Sequence, residues 1–192
     1  MSVMRREIEE SIQVAERLVA RRAELEAIGA RLAQWRPAVV VVAGRGTSDH
    51  AAVFARYLLE YVLETPVALA APSLLTQYGV QSGSSSSALV AFSQSGAGPD
   101  IVALTREARA AGALTVAVTN SPDSELAAAA AAHLIDLGAG PEEAVAATKT
   151  YVAELVAVVL IASGAARALG RGGEWLSTIQ GIPAEMSAAL RE

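Results

Sequence analysis

Three short loops contain most of the residues in this chain that could bind a ligand. They are Gly44-Arg45-Gly46-Thr47-Ser48, Ser93-Gln94-Ser95-Gly96 and Gly138-Ala139-Gly140-Pro141-Glu142. Hydroxyl and amide side chains supply hydrogen-bond donors without net charge, and glycine lets a ligand approach the backbone closely. Such donor sets can wrap a phosphate group, especially where a loop leads into a helix. The loops therefore predict an anion-binding site.

The first two loops each follow a short apolar run and precede a helical pattern. Residues 39–43 come before the first loop, and residues 89–92 come before the second. Short β-prone runs alternating with helix-length segments predict parallel strands joined by helices. In open sheets of this kind, ligands bind at the carboxyl ends of the strands, where helix N-termini carry partial positive charge.

The remaining segments complete a predicted α/β fold, a three-layer α/β/α sandwich around a five-stranded parallel sheet. Strands are expected at residues 39–43, 67–70, 89–92, 114–119 and 133–137. Helices are expected at about 5–34, 49–63, 99–111, from 124, 142–169 and 175–190. Thr47 or Ser48 is placed to cap the second of these helices. The chain thus divides into an N-terminal helix at 1–36, a central domain at 37–170 and a C-terminal helix at 171–192.

Composition excludes several classes of protein. With 53% apolar and 18% charged residues, the chain of 192 residues can bury one substantial core. The net charge of −5, with acidic and basic residues intermixed, argues against a nucleic-acid partner. The lack of cysteine excludes disulfides, thiolate nucleophiles and cysteine-ligated metals, and it fits a cytoplasmic protein. The scattered histidines and carboxylates form no ligand pattern, so no metal is expected, and no cofactor is indicated.

The termini and the most apolar segment predict a protein without a membrane segment. The charged helical pattern of the first residues is unlike a signal peptide. The apolar stretch 155–168 is too short to span a bilayer and is expected to form a buried helix. Because that helix is apolar nearly all round, another domain or subunit is expected to cover it. Self-association as a homodimer or higher oligomer is therefore expected.

Taken in order, the loops resemble the sugar isomerase (SIS) domain family. The pattern is Gly-x-Gly-Thr-Ser, then Ser-Gln-Ser-Gly with Asp100 four residues on, then Ala-Gly-Pro-Glu-x-x-Val-Ala-x-Thr-Lys. Within the family, the chain is similar to the isomerase half of glucosamine-6-phosphate synthase and to amino-sugar-phosphate isomerases and deaminases. The resemblance covers nearly the whole chain and implies a flavodoxin- or Rossmann-like SIS fold.

The resemblance implies a sugar phosphate as ligand, of the fructose 6-phosphate, glucosamine 6-phosphate or galactosamine 6-phosphate class. It places the phosphate at the second loop, the sugar at the first, and a backbone contact in the third. The residues implied to bind substrate are Gly46, Thr47, Ser48, Ser93, Gln94, Ser95, Gly96 and Val145. Two positions depart from the family pattern, because Gly98 replaces a threonine of the phosphate cradle and Ala147 replaces a serine.

No catalytic residue is carried over by the resemblance, because the catalytic residues of synthase-like relatives belong to a second SIS domain. From the residues themselves, Glu142 and His50 are the two candidates for a base. Glu142 is also explained by a position in the first turn of a helix, and His50 by a surface position. A structural role is expected for His133 and a solvated side chain for Lys149.

Three functions remain open at the level of sequence. The first is a phosphosugar-binding SIS domain that equals the first half of a two-domain isomerase, deaminase or synthase, with a second SIS domain as its partner. The second is a complete single-domain isomerase with sites between subunits. The third is a non-catalytic sensor or regulatory subunit that binds phosphosugars.

Overall fold

The sheet at the centre of the molecule has five parallel strands. The computed structural model describes residues 2–130 and 133–191. The strands are β1 (Val39–Ala43), β2 (Val67–Leu69), β3 (Ser87–Ser93), β4 (Leu114–Thr119) and β5 (Leu134–Asp136), in the spatial order β2-β1-β3-β4-β5. Every strand pair is parallel, with Val42 opposite Val90 and Val90 opposite Val116. This confirms the predicted fold class and gives the flavodoxin-like strand order.

Helices cover both faces of the sheet. Their bounds are α1 (Val3–Ala20), α2 (Arg22–Trp35), α3 (Thr47–Leu63), α4 (Pro72–Tyr78), α5 (Pro99–Ala110), α6 (Glu125–Ala130), α7 (Lys149–Ala168), α8 (Trp175–Thr178) and α9 (Ile182–Ala189). The larger apolar core joins α1, α2, α3 and α7 to one face, and a smaller core joins α5 and α6 to the other. Two separate cores on one sheet are the mark of a three-layer sandwich.

The expected N-terminal helix is wrong in its continuity, because the chain breaks at Arg21 into α1 and α2. Arg21 donates from Nη1 to the Asp136 carbonyl at 2.8 Å, and Arg17 donates from Nη2 to the Gly138 carbonyl at 3.1 Å. The end of α1 is thereby tied to the end of β5. Helix α2, which follows this break, packs against α7.

Helices α2 and α7 pack with their backbones in close approach. A Cβ added at Gly29 would lie 1.9 Å from the Ile161 carbonyl oxygen, and one added at Gly164 would lie 1.9 Å from the Glu26 carbonyl oxygen. Only glycine fits at both positions, since a larger side chain would push the two helices apart. This contact holds α7 deep in the core.

Helix α7 is the most buried helix segment that the sequence predicted. It has 20 residues and is long and apolar enough to cross a membrane by length and composition, because α7 extends beyond the apolar stretch 155–168 to which the expectation applied. However, 67% of its apolar window is buried inside the protein. Its composition is therefore explained by the core of the sandwich.

The other differences from the predicted elements are local. The expected C-terminal helix is divided into α8, a 3-10 turn at Ile179–Gly181 and α9, and α4 replaces a segment for which no element was predicted. The alanine-rich helix predicted from Ser124 is present as α6, and Ala131 and Ala132 lie outside the described residues. Met1 and Glu192, the outer limits of the expected domains, also lie outside them.

Candidate functional site

The three loops lie at the carboxyl edge of the sheet. The first follows β1 and leads into α3, the second follows β3 and leads into α5, and the third follows β5 and leads to α7. Strands β1 and β3 are neighbours, although the chain passes through β2 between them. The connections from these strands run to opposite faces of the sheet, which opens a crevice between the first two loops.

The first loop turns sharply so that α3 can begin at Thr47. Gly46 has φ of 58° and ψ of −128°, a conformation that is open to glycine and strained for other residues. It is also the N-cap residue of α3, so the expectation that Thr47 or Ser48 caps this helix is wrong. The Ser48 hydroxyl instead donates to Glu154 on α7 at 2.7 Å.

The second loop folds on its own hydroxyl groups. Ser93 Oγ accepts from the Gly96 amide at 3.1 Å, and Ser95 Oγ accepts from the Ala97 amide at 3.3 Å. Each hydroxyl keeps its hydrogen for a further acceptor. Gly98, which stands where the family has threonine, is the N-cap residue of α5. Because both N-cap residues are glycines, neither α3 nor α5 has a capping side chain at that position.

The third loop ends differently, because Glu142 folds back onto the start of α7. Its Oε1 accepts from the Thr148 amide at 2.7 Å, the Thr148 hydroxyl at 2.8 Å and the Lys149 amide at 3.0 Å. Its Oε2 accepts from the Thr150 amide at 3.0 Å and from the Thr150 hydroxyl. The prediction that Glu142 lies inside a helix is wrong, since α7 begins at Lys149.

These bonds hold Glu142 as an anion. Burial by itself would raise the pKa of its carboxyl, but the hydrogen bonds from Thr150 and Thr148 outweigh burial and hold the pKa below its usual value. A general base works best with a pKa near neutrality. The geometry therefore gives Glu142 the role of a helix cap and makes it a poor candidate for the base.

Lys149 is buried, so the expectation of a solvated side chain is wrong. It is 4% exposed, and its Nζ lies 2.5 Å from Glu10 Oε2 and 3.8 Å from Glu7 Oε1 on α1. Glu7 also accepts from the amides of Glu143 and Ala144 at 2.6 and 3.1 Å. Helix α1 therefore holds the chain between the third loop and α7 at Glu143 and Ala144, directly before Val145.

The two histidines lie apart from each other and from the cavity lining. His50 is exposed in the first turn of α3, and His133 is half-buried next to the start of β5. Burial, with a smaller contribution from the charge of Arg31, lowers the pKa of His133. Within residues 2–130 and 133–191, His, Asp and Glu side chains form no group of three that could hold a metal ion.

A cavity of about 300 Å³ lies between the three loops. Six of the eight expected substrate-binding residues line it, while Gly46 and Gly96 shape the loops behind them. The lining consists of Arg45, Thr47, Ser48, Ser93, Gln94, Ser95, Gly98, Ile101, Val145 and Ala147. Arg45 supplies the charge in this set, and its Nε lies 3.1 Å from Asp100 Oδ2. The sequence interpretation gave Arg45 no role, although it stands inside the first loop.

Glu154 is a second residue of the site, besides Arg45, to which the sequence interpretation assigned no role. It lies on α7, is 1% exposed, and reaches the cavity through the Ser48 hydroxyl. Burial raises the pKa of Glu154 to about 7, and the charge of Glu142 adds to this while the bond from Ser48 opposes it. The available signal was a glutamate directly before the apolar stretch 155–168.

Comparison with known sequences and structures places this geometry in a family. Residues 32–164 match the model of the SIS domain. The chain is 33% identical over 153 residues to the isomerizing glutamine–fructose-6-phosphate aminotransferase of Pyrococcus horikoshii, covering 79% of this chain and 25% of that protein. It is 38% identical over 125 residues to the Symbiobacterium thermophilum enzyme of the same name, covering 64% of this chain and 20% of that protein.

Two solved structures extend the comparison to the fold. A protein of Silicibacter pomeroyi that is assigned as a phosphosugar isomerase superposes with a TM-score of 0.91 at 37% identity, covering 100% of this chain and 57% of that one. The C-terminal domain of the Francisella tularensis glucosamine-fructose-6-phosphate aminotransferase superposes with a TM-score of 0.78 at 21% identity, covering 98% of this chain and 53% of that one. The second likeness shows the fold alone.

The chain therefore spans about a quarter of the first curated relative and 57% of the first solved one. The matches favour homology to the isomerase half of such enzymes over a single-domain isomerase or a sensor. Together, the matched family model, the strand order and the three loops show that this chain belongs to the SIS domain family.

Proposed function

We propose that the cavity binds the phosphate group of a hexose or amino-sugar 6-phosphate. The observation that carries this proposal is the convergence of Thr47, Ser48, Ser93 and Ser95 on one cavity of about 300 Å³ between the first turns of α3 and α5. Hydroxyl donors and helix N-termini both favour an anion, and a phosphate oxygen accepts several such bonds at once. The phosphate lies between the second loop and Ser48, and the sugar extends along the first loop.

The carboxylates nearest the loops leave room for an anion. Glu142 is turned onto the start of α7, and Asp100 is paired with Arg45. In the second loop, Gly98 removes the hydroxyl that the family pattern has at this position. The Gly98 amide takes its place, since Pro99 has no N–H and the Ile101 amide donates to Asp100 Oδ1. The missing side chain lets a phosphate oxygen come closer to the backbone.

The curated relatives support fructose 6-phosphate or a related amino-sugar phosphate as the ligand. Their names contain fructose 6-phosphate, and this chain matches a part of each of them. We infer that the chain equals the first half of a two-domain isomerase, deaminase or synthase. Turnover then requires a base from a second SIS unit, because Glu142 is committed to capping α7 and His50 is outside the cavity lining.

The organisation around this site is part of the same proposal. The SIS domain occupies residues 37–170, with α1 and α2 before it and the short helices α8 and α9 after it. A homodimer, a higher oligomer or a second SIS domain completes the site at the open side of Val145, whose side chain is fully exposed. A cytoplasmic location fits a domain without cysteine that binds a metabolic phosphate ester.

A thermal-shift titration tests the binding proposal. Fructose 6-phosphate, glucosamine 6-phosphate and galactosamine 6-phosphate are each compared with the unphosphorylated sugars and with inorganic phosphate. A ligand that binds the folded state raises the Tm in a saturable way. We expect at least one sugar phosphate to raise the Tm more than its sugar or phosphate does. Unchanged Tm with all three at millimolar concentration contradicts the proposal.

A further inference from the structure

The wall of the cavity contains a hydroxyl that is backed by a buried carboxyl. Ser48 lines the cavity and is 6% exposed, and its Oγ lies 2.7 Å from Oε1 of Glu154, which is 1% exposed. The two residues are 106 positions apart in the sequence. Glu154 is therefore a second layer behind the ligand-facing wall, and it acts on a ligand only through Ser48.

The direction of this hydrogen bond depends on the proton of Glu154. An ionised carboxylate can only accept a hydrogen bond, so the Ser48 hydroxyl donates to Glu154. The Ser48 oxygen then presents only lone pairs to the cavity. A protonated carboxyl can donate its O–H to Ser48 Oγ, and the serine hydrogen is then free to point at a ligand. A phosphate dianion binds to hydrogen-bond donors, so protonated Glu154 favours its binding at Ser48 and ionised Glu154 disfavours it.

We propose that Glu154 is a positioning residue that sets whether Ser48 donates or accepts at the cavity wall, so that anion binding is coupled to protonation of Glu154. This inference rests on the proposed function and adds a regulation to the same site. A bound phosphate favours the protonated carboxyl, and phosphate binding therefore takes up a proton wherever Glu154 is ionised in the free protein.

The surroundings of Glu154 support a proton exchange near neutral pH. Burial raises the pKa of Glu154 to about 7, the Ser48 bond opposes the rise, and the Glu142 charge adds to it. No cation of the described residues contributes to this shift. Strands β1, β3 and β4 carry no titratable side chain.

The following charged side chains on α7 and on the helices that pack against it are either paired with an opposite charge or exposed to solvent. On α1, Glu7 and Glu10 pair with Lys149 of α7, and on α2, Glu26 pairs with Arg22. On α3, Asp49 and His50 are exposed. The charge that couples to Glu154 is thus that of Glu142, which stays ionised as the cap of α7 over the range in which Glu154 changes its charge.

The test compares the affinity for fructose 6-phosphate in the wild type and in Glu154→Gln from pH 6 to pH 8. The Gln amide can donate to Ser48 at every pH, so it mimics the protonated acid. Calorimetric Kd values are expected to agree at pH 6, and the wild type is expected to bind about tenfold more weakly than the variant at pH 8. Protonation of the sugar phosphate itself cancels in this ratio.

A matched control is available on the same helix. Ser163 on α7 donates to Glu26 at 2.6 Å, which is a second serine–glutamate pair that does not line the cavity. Glu26→Gln is expected to keep the wild-type pH profile. Ser48→Ala is expected to bind weakly at both pH values and to show no difference when combined with Glu154→Gln. Thermal unfolding of each variant verifies that it is folded.

The outcomes separate the two proposals. A Kd ratio that stays constant from pH 6 to pH 8 while both proteins bind overturns the role of Glu154 and leaves sugar-phosphate binding intact. No binding of fructose 6-phosphate, glucosamine 6-phosphate or galactosamine 6-phosphate to either protein at any pH overturns both. A pH-dependent ratio that also appears for Glu26→Gln overturns the specific coupling through Ser48.

Discussion

The N-termini of α3 and α7 lie beside the same cavity, but only that of α7 is capped by a carboxylate of the protein. Helix α7 receives a carboxylate from its own chain, because Glu142 accepts from the Thr148, Lys149 and Thr150 amides. Helix α3 begins after Gly46, which has no side chain to offer. One N-terminus is therefore satisfied within the protein, and the other is left for an anion from outside.

The two glutamates connected with these helix ends differ in the same way. Hydrogen bonds hold the pKa of Glu142 below its usual value, whereas burial raises the pKa of Glu154 to about 7. Glu142 supports the fold as an anion, and Glu154 serves the open N-terminus best when it is neutral. The comparison shows that a carboxylate near an anion site is compatible with binding when its charge is neutralised by amides or by a proton.

The largest effect is expected from removing hydroxyl groups at the open side of the cavity. In Ser93→Ala/Ser95→Ala, two donors to a charged ligand are lost, each worth about 1.5 to 3 kcal/mol. Affinity for fructose 6-phosphate is expected to fall by about a hundredfold or more. Calorimetry measures this, with Ser84→Ala/Ser86→Ala as the matched control in an exposed serine loop. Equal affinity in the two double mutants would place the ligand elsewhere.

The second-largest effect is expected on the free energy of unfolding, from the buried carboxyl of Glu154. The pKa of Glu154 is about 7 in the folded protein against 4.5 ordinarily, so the free energy of unfolding falls as pH rises through this range. Glu154→Gln lacks this loss and is expected to be more stable than the wild type at pH 8, by at most about 3 kcal/mol. Urea unfolding at pH 5 and pH 8 measures it. A stability difference that does not grow with pH would contradict the buried, neutral state.

A smaller effect of opposite sign, a loss of unfolding free energy, is expected from removing the Glu142 carboxylate at the N-terminus of α7. The depressed pKa of Glu142 means that its anion contributes stability above the unfolded-state value, and that this is lost as pH falls through the folded pKa. Glu142→Gln is expected to cost about 1 kcal/mol of unfolding free energy at pH 7, on the scale of a helix cap, and nothing in acid. Urea unfolding at pH 7 and below pH 4 checks this. An equal cost at both pH values would argue against the cap.

The smallest effect is expected from the charge at the mouth of the cavity. Arg45 is exposed and pairs with Asp100, so it must leave this partner to reach a phosphate. Arg45→Gln is expected to weaken binding of fructose 6-phosphate about threefold at low salt, since exposed ion pairs contribute less than about 1 kcal/mol. The difference should disappear at high salt. A hundredfold loss would make Arg45 the main phosphate ligand and the hydroxyls secondary.

Much of the site could be predicted from sequence because its parts are local. Strand β4 was predicted at its observed bounds, since Gly112 and Asn120 bracket a β-branched run. The loop residues follow strands that are parallel neighbours, so the fold alone brings Ser48 and Ser93 to one cavity. Alternation of strand and helix predicted that the loops lie at the carboxyl edge of the sheet, and the resemblance to the SIS family implied the individual residues.

The features that sequence could not give depend on partners far along the chain. The break at Arg21 depends on the carbonyl of Asp136, and the burial of Lys149 depends on Glu7 and Glu10. The late start of α7 depends on Glu142 turning back over the loop. In each case the position of the side chain is set by a residue distant in sequence, which helix or surface propensity does not predict.

The most direct test of the central claim is an amide NMR titration with fructose 6-phosphate. Saturable shifts are expected at Thr47 and Ser48 and across Ser93 to Gly98, because these residues form the cavity wall or lie next to it in the loop. The amides of Thr148, Lys149 and Thr150 are expected to move little, since Glu142 already occupies them. Saturable shifts confined to the start of α7, or no shifts in the first two loops, would contradict the account.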